Sequence, residues 1–131
     1  MSSQTVTSIM TANPEVVRAG DSLLVVKKMF EKQQFHHHIP VVDNGTLAGM
    51  ISLYDFIIAM RGASLDDTEP VYASKTAGDI MSREVKSCTP ETTIASAVAI
   101  MLEHHINALP VVENTILRGI VTSRDLMATL L

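Results

Sequence analysis

Two short segments carry the residue types from which a site can be built: Ser52-Leu53-Tyr54-Asp55 and Thr122-Ser123-Arg124-Asp125. In each, a hydroxyl precedes a carboxylate by three residues, close to one helical turn. Two chemistries fit this spacing. In the first, the pair is a capping box: the hydroxyl accepts from a backbone N–H inside the helix, the acid reaches back to the N-cap N–H, and no ligand is needed. In the second, the helix start offers unpaired N–H groups and a positive dipole end to a phosphate. The hydroxyl then adds a donor, and the carboxylate accepts both hydroxyls of a vicinal diol. Arg124 gives the second segment a cation where the first has Tyr54, so two such sites differ in charge.

A second pair of candidate segments precedes two Pro-Val-Val runs: His36-His37-His38 and Ile106-Asn107-Ala108. Three consecutive histidines invite a metal reading. In an extended segment, however, His36 and His38 face one side and His37 the other. No neighbouring Cys or acid completes a ligand set, so no metal site is expected.

These segments recur because the chain repeats itself. Val6-Thr7-Ser8-Ile9-Met10-Thr11 aligns with Ala77-Gly78-Asp79-Ile80-Met81-Ser82, and Ile39-Pro40-Val41-Val42-Asp43-Asn44 with Leu109-Pro110-Val111-Val112-Glu113-Asn114. Gly49 and Gly119, three residues before each hydroxyl, also correspond; a glycine inside a strand permits close backbone approach. Each copy reads as β-α-β-β-α. A short β-prone stretch (Val16-Val17; Val85 to Cys88) leads to a helix over about 22–34 and 92–105, with Asp21 and Thr92 as N-caps. Leu23, Val26, Met29 and Phe30 recur at helical spacing, as do Ile94, Ala97, Ile100 and Met101. Strands follow over about 39–43 and 47–52, then 109–113 and 116–122, and a last helix starts after Ser52 and after Thr122. Asn44-Gly45 is a strong tight-turn signal, and Asn114-Thr115 a weaker one because Thr tolerates positive φ poorly. The copies are expected at 5–61 and 76–131, joined by a linker over 62–75. Neither copy alone closes a core, so the expected fold is α/β (α+β), two repeats packed through their sheets with pseudo-twofold symmetry.

Composition bounds the function. The chain has 131 residues, 47% of them hydrophobic, which suits a globular domain. Its formal net charge is −4 and it has no Lys/Arg cluster, so nucleic acid is not an expected partner. The single cysteine, Cys88, precludes an internal disulfide and fits a reducing, cytoplasmic setting. The first residues lack the basic and apolar regions of a signal peptide, and the apolar stretch from Ala95 to Leu102 is too short for a bilayer, so no membrane role is expected.

The tandem resembles a pair of cystathionine-β-synthase-type (CBS) domains, a Bateman module. The residues that carry the resemblance are Asp79-Ile80-Met81, the two Pro-Val-Val segments and the two Gly-x-x-Ser/Thr-x-x-Asp segments, in the same order twice over roughly residues 5 to 131. The resemblance implies a regulatory, non-enzymatic module that binds adenosine-containing ligands (AMP, ADP, ATP or S-adenosylmethionine) between the repeats, requires no cofactor, signals to a regulated protein and forms a homodimer. It implies that Ser52 and Thr122 face phosphate and that Asp55 and Asp125 hold a ribose diol; the charge of Arg124 makes it a candidate phosphate partner in the second site. It also places His37, His38, Ile106, Asn107 and Ala108 beside the base or phosphates. The competing expectation is a ligand-independent dimerisation module with vestigial clefts. No nucleophile–base pair, Walker loop or zinc motif supports an enzyme.

Overall fold

The computed structural model describes residues 4–32, 37–61, 63 and 69–130. The chain forms two compact units, one from Glu15–Val85 and one from Met1–Pro14 with Lys86–Leu131. Both are mixed α/β units built around one antiparallel hairpin.

The first unit contains α1 (Leu23–Lys32), β2 (His38–Asp43), β3 (Thr46–Ser52), α2 (Leu53–Ala59), α3 (Pro70–Ser74) and α4 (Ala77–Ile80). The second contains β1 (Thr11–Ala12), α5 (Ile94–His104), β4 (Ala108–Glu113), β5 (Ile116–Thr122) and α6 (Ser123–Ala128). The two hairpins match residue for residue. Val41 pairs with Gly49 and Val42 with Leu47, leaving Ala48 as a bulge; Val111 pairs with Gly119 and Val112 with Leu117, leaving Arg118 as the bulge. Both turns hold two left-handed residues, Asn44 and Gly45 in one, Asn114 and Thr115 in the other. Thr115 adopts φ 71° despite its branched side chain, because the β4–β5 register imposes the same turn on both copies.

The helical periodicity of the sequence selects the buried faces. Leu23 and Val26 of α1 are fully buried with Ile39, Val41 and Ile51 in the first core, and Ala97 and Met101 of α5 are buried with Leu109, Val111 and Val121 in the second. Each fully buried aliphatic side chain contributes roughly 1.5–3 kcal/mol. Part of the expected linker is ordered structure: α3 places Tyr72 in the first core at 1% exposure, with the Lys27 ammonium 5.4 Å from its ring centroid.

The helix caps differ from expectation by one residue. Thr93, not Thr92, caps α5, its side chain accepting from Ser96 N. Asp21 and Thr92 instead close the turns before the helices, Asp21 Oδ2 accepting from Arg18 N at 2.8 Å and Thr92 Oγ1 from Thr89 N at 3.0 Å. Those turns leave their own N–H groups unpaired, and a short polar side chain three residues on satisfies them. The β-prone stretches form single parallel bridges, Val17 to Val41 and Cys88 to Val111, rather than strands.

The leading segment of each sequence copy packs in the unit built from the other copy. Residues of the first copy's head join the second unit: Val6 N donates to Thr92 O, Ile94 N to Gln4 O, and β1 pairs with β5. The head of the second copy joins the first unit through the same bonds: Ala77 N donates to Asp21 O, Leu23 N to Lys75 O, and Met50 and Ser82 exchange backbone bonds at 3.0 and 2.9 Å. The crossing occurs over a glycine in both. A Cβ at Gly49 would lie 2.7 Å from Ser82 O, and one at Gly119 2.8 Å from Thr11 O. No described helix is long and apolar enough to cross a membrane.

This crossing predicts the effect of a single methyl group. Gly49→Ala and Gly119→Ala should each lower stability by about 1–3 kcal/mol through overpacking against backbone that cannot turn aside. Gly20→Ala, where a Cβ meets nothing within 4 Å, should change it by less than about 0.5 kcal/mol. Urea unfolding of the three variants measures the difference; equal midpoints would show that the crossing is not tight.

Candidate functional site

The last turn of each hairpin runs directly into a helix, and this junction gathers the candidate residues. At the start of α2, Asp55 N donates to Ser52 Oγ at 3.0 Å and Ser52 N to Asp55 Oδ2 at 2.9 Å. At the start of α6, Asp125 N donates to Thr122 Oγ1 at 3.3 Å, and Thr122 N and Oγ1 donate to Asp125 Oδ2 at 2.8 and 3.1 Å. Both capping boxes are formed. Ser52 and Thr122 are extended, so the strand ends and the helix begins at the same residue. A third such pair opens α4, where Thr76 N and Oγ1 donate to Asp79 Oδ2, and these bonds hold the Asp79 carboxyl below its ordinary range.

The segments before Pro-Val-Val lie across the hairpin from these caps. His38 pairs with Ser52 and Ala108 with Thr122. Just outside the ladder, Leu53 N donates to His37 O at 2.8 Å and Ser123 N to Asn107 O at 2.9 Å. Each helix start is therefore tied to the opposing strand entry through an otherwise orphan N–H. The first unit thus brings together Ser52, Asp55, His37 and His38; the second brings together Thr122, Asp125, Asn107 and Ala108. Ile106 packs against the second core, and its N–H closes the end of α5 on Met101 O beside the left-handed His105. Ala108 is buried. Arg124 and Tyr54 are exposed. His36 lies outside the described residues. Among the described residues no cluster of three or more His, Cys, Asp or Glu is placed to hold a metal ion.

Burial lowers the His38 pKa from 6.5, the neighbouring His37 lowers it further, and Asp55 opposes both. Cys88 is buried and its thiol is pushed up to about 11 by desolvation, against a hydrogen bond with Thr92, so it is no thiolate nucleophile near neutral pH.

Beside Asp55, the first unit has a pocket of about 460 Å³ lined by Asp55, Ile58, Ala59, Arg61, Lys75, Asp79 and Ile80. This volume lies within the usual small-molecule range. Its walls are α2 and α4. Asp55, Ile58 and Ala59 share one helix face through their i, i+3, i+4 spacing. Sequence reasoning passed over Arg61 and Lys75, which flank and fall within the expected linker. The available signal was Lys75 itself, directly before the Thr-x-x-Asp of α4, where the first copy has Gln4.

The twofold repeat of the sequence is matched by one family. The family model of the CBS domain matches residues 6–62 and again 77–131. The chain belongs to the CBS domain family. It is 31% identical over 121 residues to the CBS domain-containing protein YhcV of Bacillus subtilis, covering 92% of this chain and 77% of YhcV. It is also 33% identical over 126 residues to homoserine O-acetyltransferase of Methanococcoides burtonii, covering 92% of this chain but 23% of that enzyme. An activity named for the whole enzyme does not follow from that fraction. Among solved structures it is similar to CBSX2 in complex with AMP, with a TM-score of 0.82, 25% identity, and coverage of 97% of this chain and 96% of that one. Its fold is that of a CBS domain pair.

The shift of His38 sets a pH dependence. Its native pKa is lowered, so the unfolded chain binds the proton more readily. Stability is then fully present above the ordinary value of 6.5 and is lost as pH falls toward the native value. The melting temperature of the unliganded protein should drop as pH falls from about 7 to about 5, with a visibly shallower slope in His38→Gln. Identical slopes in calorimetry would remove His38 as the cause.

Proposed function

We propose that this CBS pair is a non-enzymatic sensor of adenosine-containing ligands, among AMP, ADP, ATP and S-adenosylmethionine, that signals to a partner protein in the cytoplasm. The observation that carries this reading is the double juxtaposition at the hairpin–helix junctions: a hydroxyl and a carboxylate on the helix start, facing the residues before Pro-Val-Val, in both units. The AMP complex of the similar CBSX2 supports the ligand class. In this reading Asp55 and Asp125 hold the ribose hydroxyls while keeping the cap bond through Oδ2. Ser52 and Thr122 meet phosphate, Arg124 adds charge in the second site, and His37, His38, Ile106, Asn107 and Ala108 border the base or phosphates.

Titration calorimetry with AMP and ATP tests the ribose assignment. Hydrogen bonds to a charged group contribute about 1.5–3 kcal/mol, so Asp55→Ala and Asp125→Ala should each lower affinity in one cleft by about tenfold or more. The lost cap bond costs about 1 kcal/mol of stability, so both variants should stay folded. If the single variants and the double variant bind as the wild type does, these acids are helix caps alone. The ligand-independent dimerisation module is then the better account.

The same helices support a homodimer. α2 exposes Tyr54, Ile57 and Ile58, and α6 exposes Met127 at 63%, followed by Leu130 at 77%. Side chains of this kind on a short helix suit burial against a second copy about a twofold axis. Light scattering should give twice the 14.2 kDa chain mass at micromolar concentration, and Ile57→Lys with Met127→Lys should halve it. A monomer mass for the wild type would refute the dimer.

A further inference from the structure

The tips of the two hairpins are the same turn with a single chemical difference. The chain has four asparagines, Asn13, Asn44, Asn107 and Asn114. An asparagine side chain can be attacked at its own Cγ by the backbone nitrogen of the next residue, provided that nitrogen carries a proton to lose and can reach. Asn13 precedes Pro14, which has no N–H, and Asn107 precedes Ala108, which is buried. Asn44-Gly45 and Asn114-Thr115 remain. Both pairs are exposed and both lie in left-handed turns, with φ of 54° and 81° in the first and 50° and 71° in the second. Among the described residues no hydrogen bond engages the side chains of Asn44 and Asn114 or the N–H groups of Gly45 and Thr115. What separates the pairs is the attacking residue: Gly45 has no Cβ, whereas Thr115 is branched at that atom and crowds its own nitrogen.

We propose that Asn44 is a self-modification site, converted through the Gly45 nitrogen to aspartate and isoaspartate in the folded protein while Asn114 persists. The Gly45 nitrogen gives up its proton to hydroxide and attacks Asn44 Cγ. A C–N bond forms, and the carboxamide nitrogen leaves as ammonia. The result is a cyclic imide that joins the two residues. Water then opens it on either side. Cleavage between Gly45 N and Cγ gives aspartate, and cleavage between Gly45 N and the Asn44 backbone carbonyl carbon gives isoaspartate. A water is consumed, ammonia is released, and nothing is oxidised or reduced. Either product sets a new carboxylate beside Asp43, and isoaspartate also inserts a methylene into the main chain of the turn. Asp43 Oδ1 accepts from Ala19 N at 3.4 Å, and Ala19 O accepts from Gly78 N at 2.9 Å. The tip is thereby bonded to the segment on which the head of the second copy docks, so modification at Asn44 weakens the first unit.

The experiment ages the full chain, folded, at physiological temperature and neutral pH, as wild type, Gly45→Thr and Thr115→Gly. Peptide mass spectrometry reads the exchange of carboxamide for carboxyl at each asparagine, and methylation by an isoaspartate-specific carboxyl methyltransferase counts the isoaspartate. Thermal unfolding before ageing verifies that the variants fold; the second hairpin already holds a threonine at φ 71°. In the wild type Asn44 should convert about tenfold or more faster than Asn114, the ratio that a steric penalty of about 1.4 kcal/mol at the attacking nitrogen produces. Gly45→Thr should slow Asn44 to the rate of Asn114, and Thr115→Gly should raise Asn114 to the rate of Asn44. Aged wild type should melt below fresh wild type, and aged Gly45→Thr should melt as its fresh form does. An unaltered Asn44 in the folded chain overturns the proposal, as does conversion that occurs only in urea, because the folded turn then shields the site. Equal rates at Asn44 and Asn114 in the wild type, or an undiminished rate in Gly45→Thr, overturn it as well. Conversion at Asn44 with no change in melting temperature overturns the weakening of the first unit.

Discussion

The approach of Ser82 to Gly49, and of Thr11 to Gly119, is the contact on which the architecture turns. In each unit a strand at the end of a hairpin must accept a backbone segment from the far end of the repeat, at a distance that leaves no room for a Cβ. The segment cannot dock over a larger residue without displacing backbone, and without it the unit lacks the bonds that Asp21 O and Leu23 N, or Thr92 O and Ile94 N, make with it. The bulge beside each glycine, at Ala48 and Arg118, breaks the ladder where the crossing chain arrives. Because each sequence copy supplies the head of the other's unit, neither copy is a complete unit alone.

The candidate sites follow from the same hairpins. Strand β3 or β5 ends at the residue that caps the next helix, so hydroxyl and carboxylate are held by the strand on one side and the helix on the other. The opposing strand enters beside them, and the carbonyl just before it, at His37 or Asn107, takes the helix's first orphan N–H. A site built this way needs no loop closure to assemble. The crossing segment then brings α4 alongside α2 in the first unit, which is how Lys75 and Asp79 come to share a pocket with Asp55 and Arg61.

Much of this was legible in the sequence because it depends on neighbours close along the chain. The capping boxes are three-residue interactions, the hairpin turns two-residue ones, and the burial of Leu23, Val26, Ala97 and Met101 follows from helical period. The glycines at 49 and 119 announced a close approach without revealing what approaches. The misplaced caps at Asp21 and Thr92 show the limit even of local signals: two polar residues in succession, Asp21-Ser22 and Thr92-Thr93, both suit an N-cap. The preceding turn's need for an acceptor decided which one served it.

By itself, then, the sequence determined the repeat, the order of elements, the paired hydroxyl–carboxylate caps and the family to which the chain belongs. All of these are written in spacings of a few residues or in self-similarity. Only the tertiary structure decided which head packs on which hairpin, why His38 resists its proton, and that Arg61 and Lys75 share a pocket with Asp55. Those outcomes depend on desolvation and on contacts between segments tens of residues apart, where no local spacing distinguishes one partner from another.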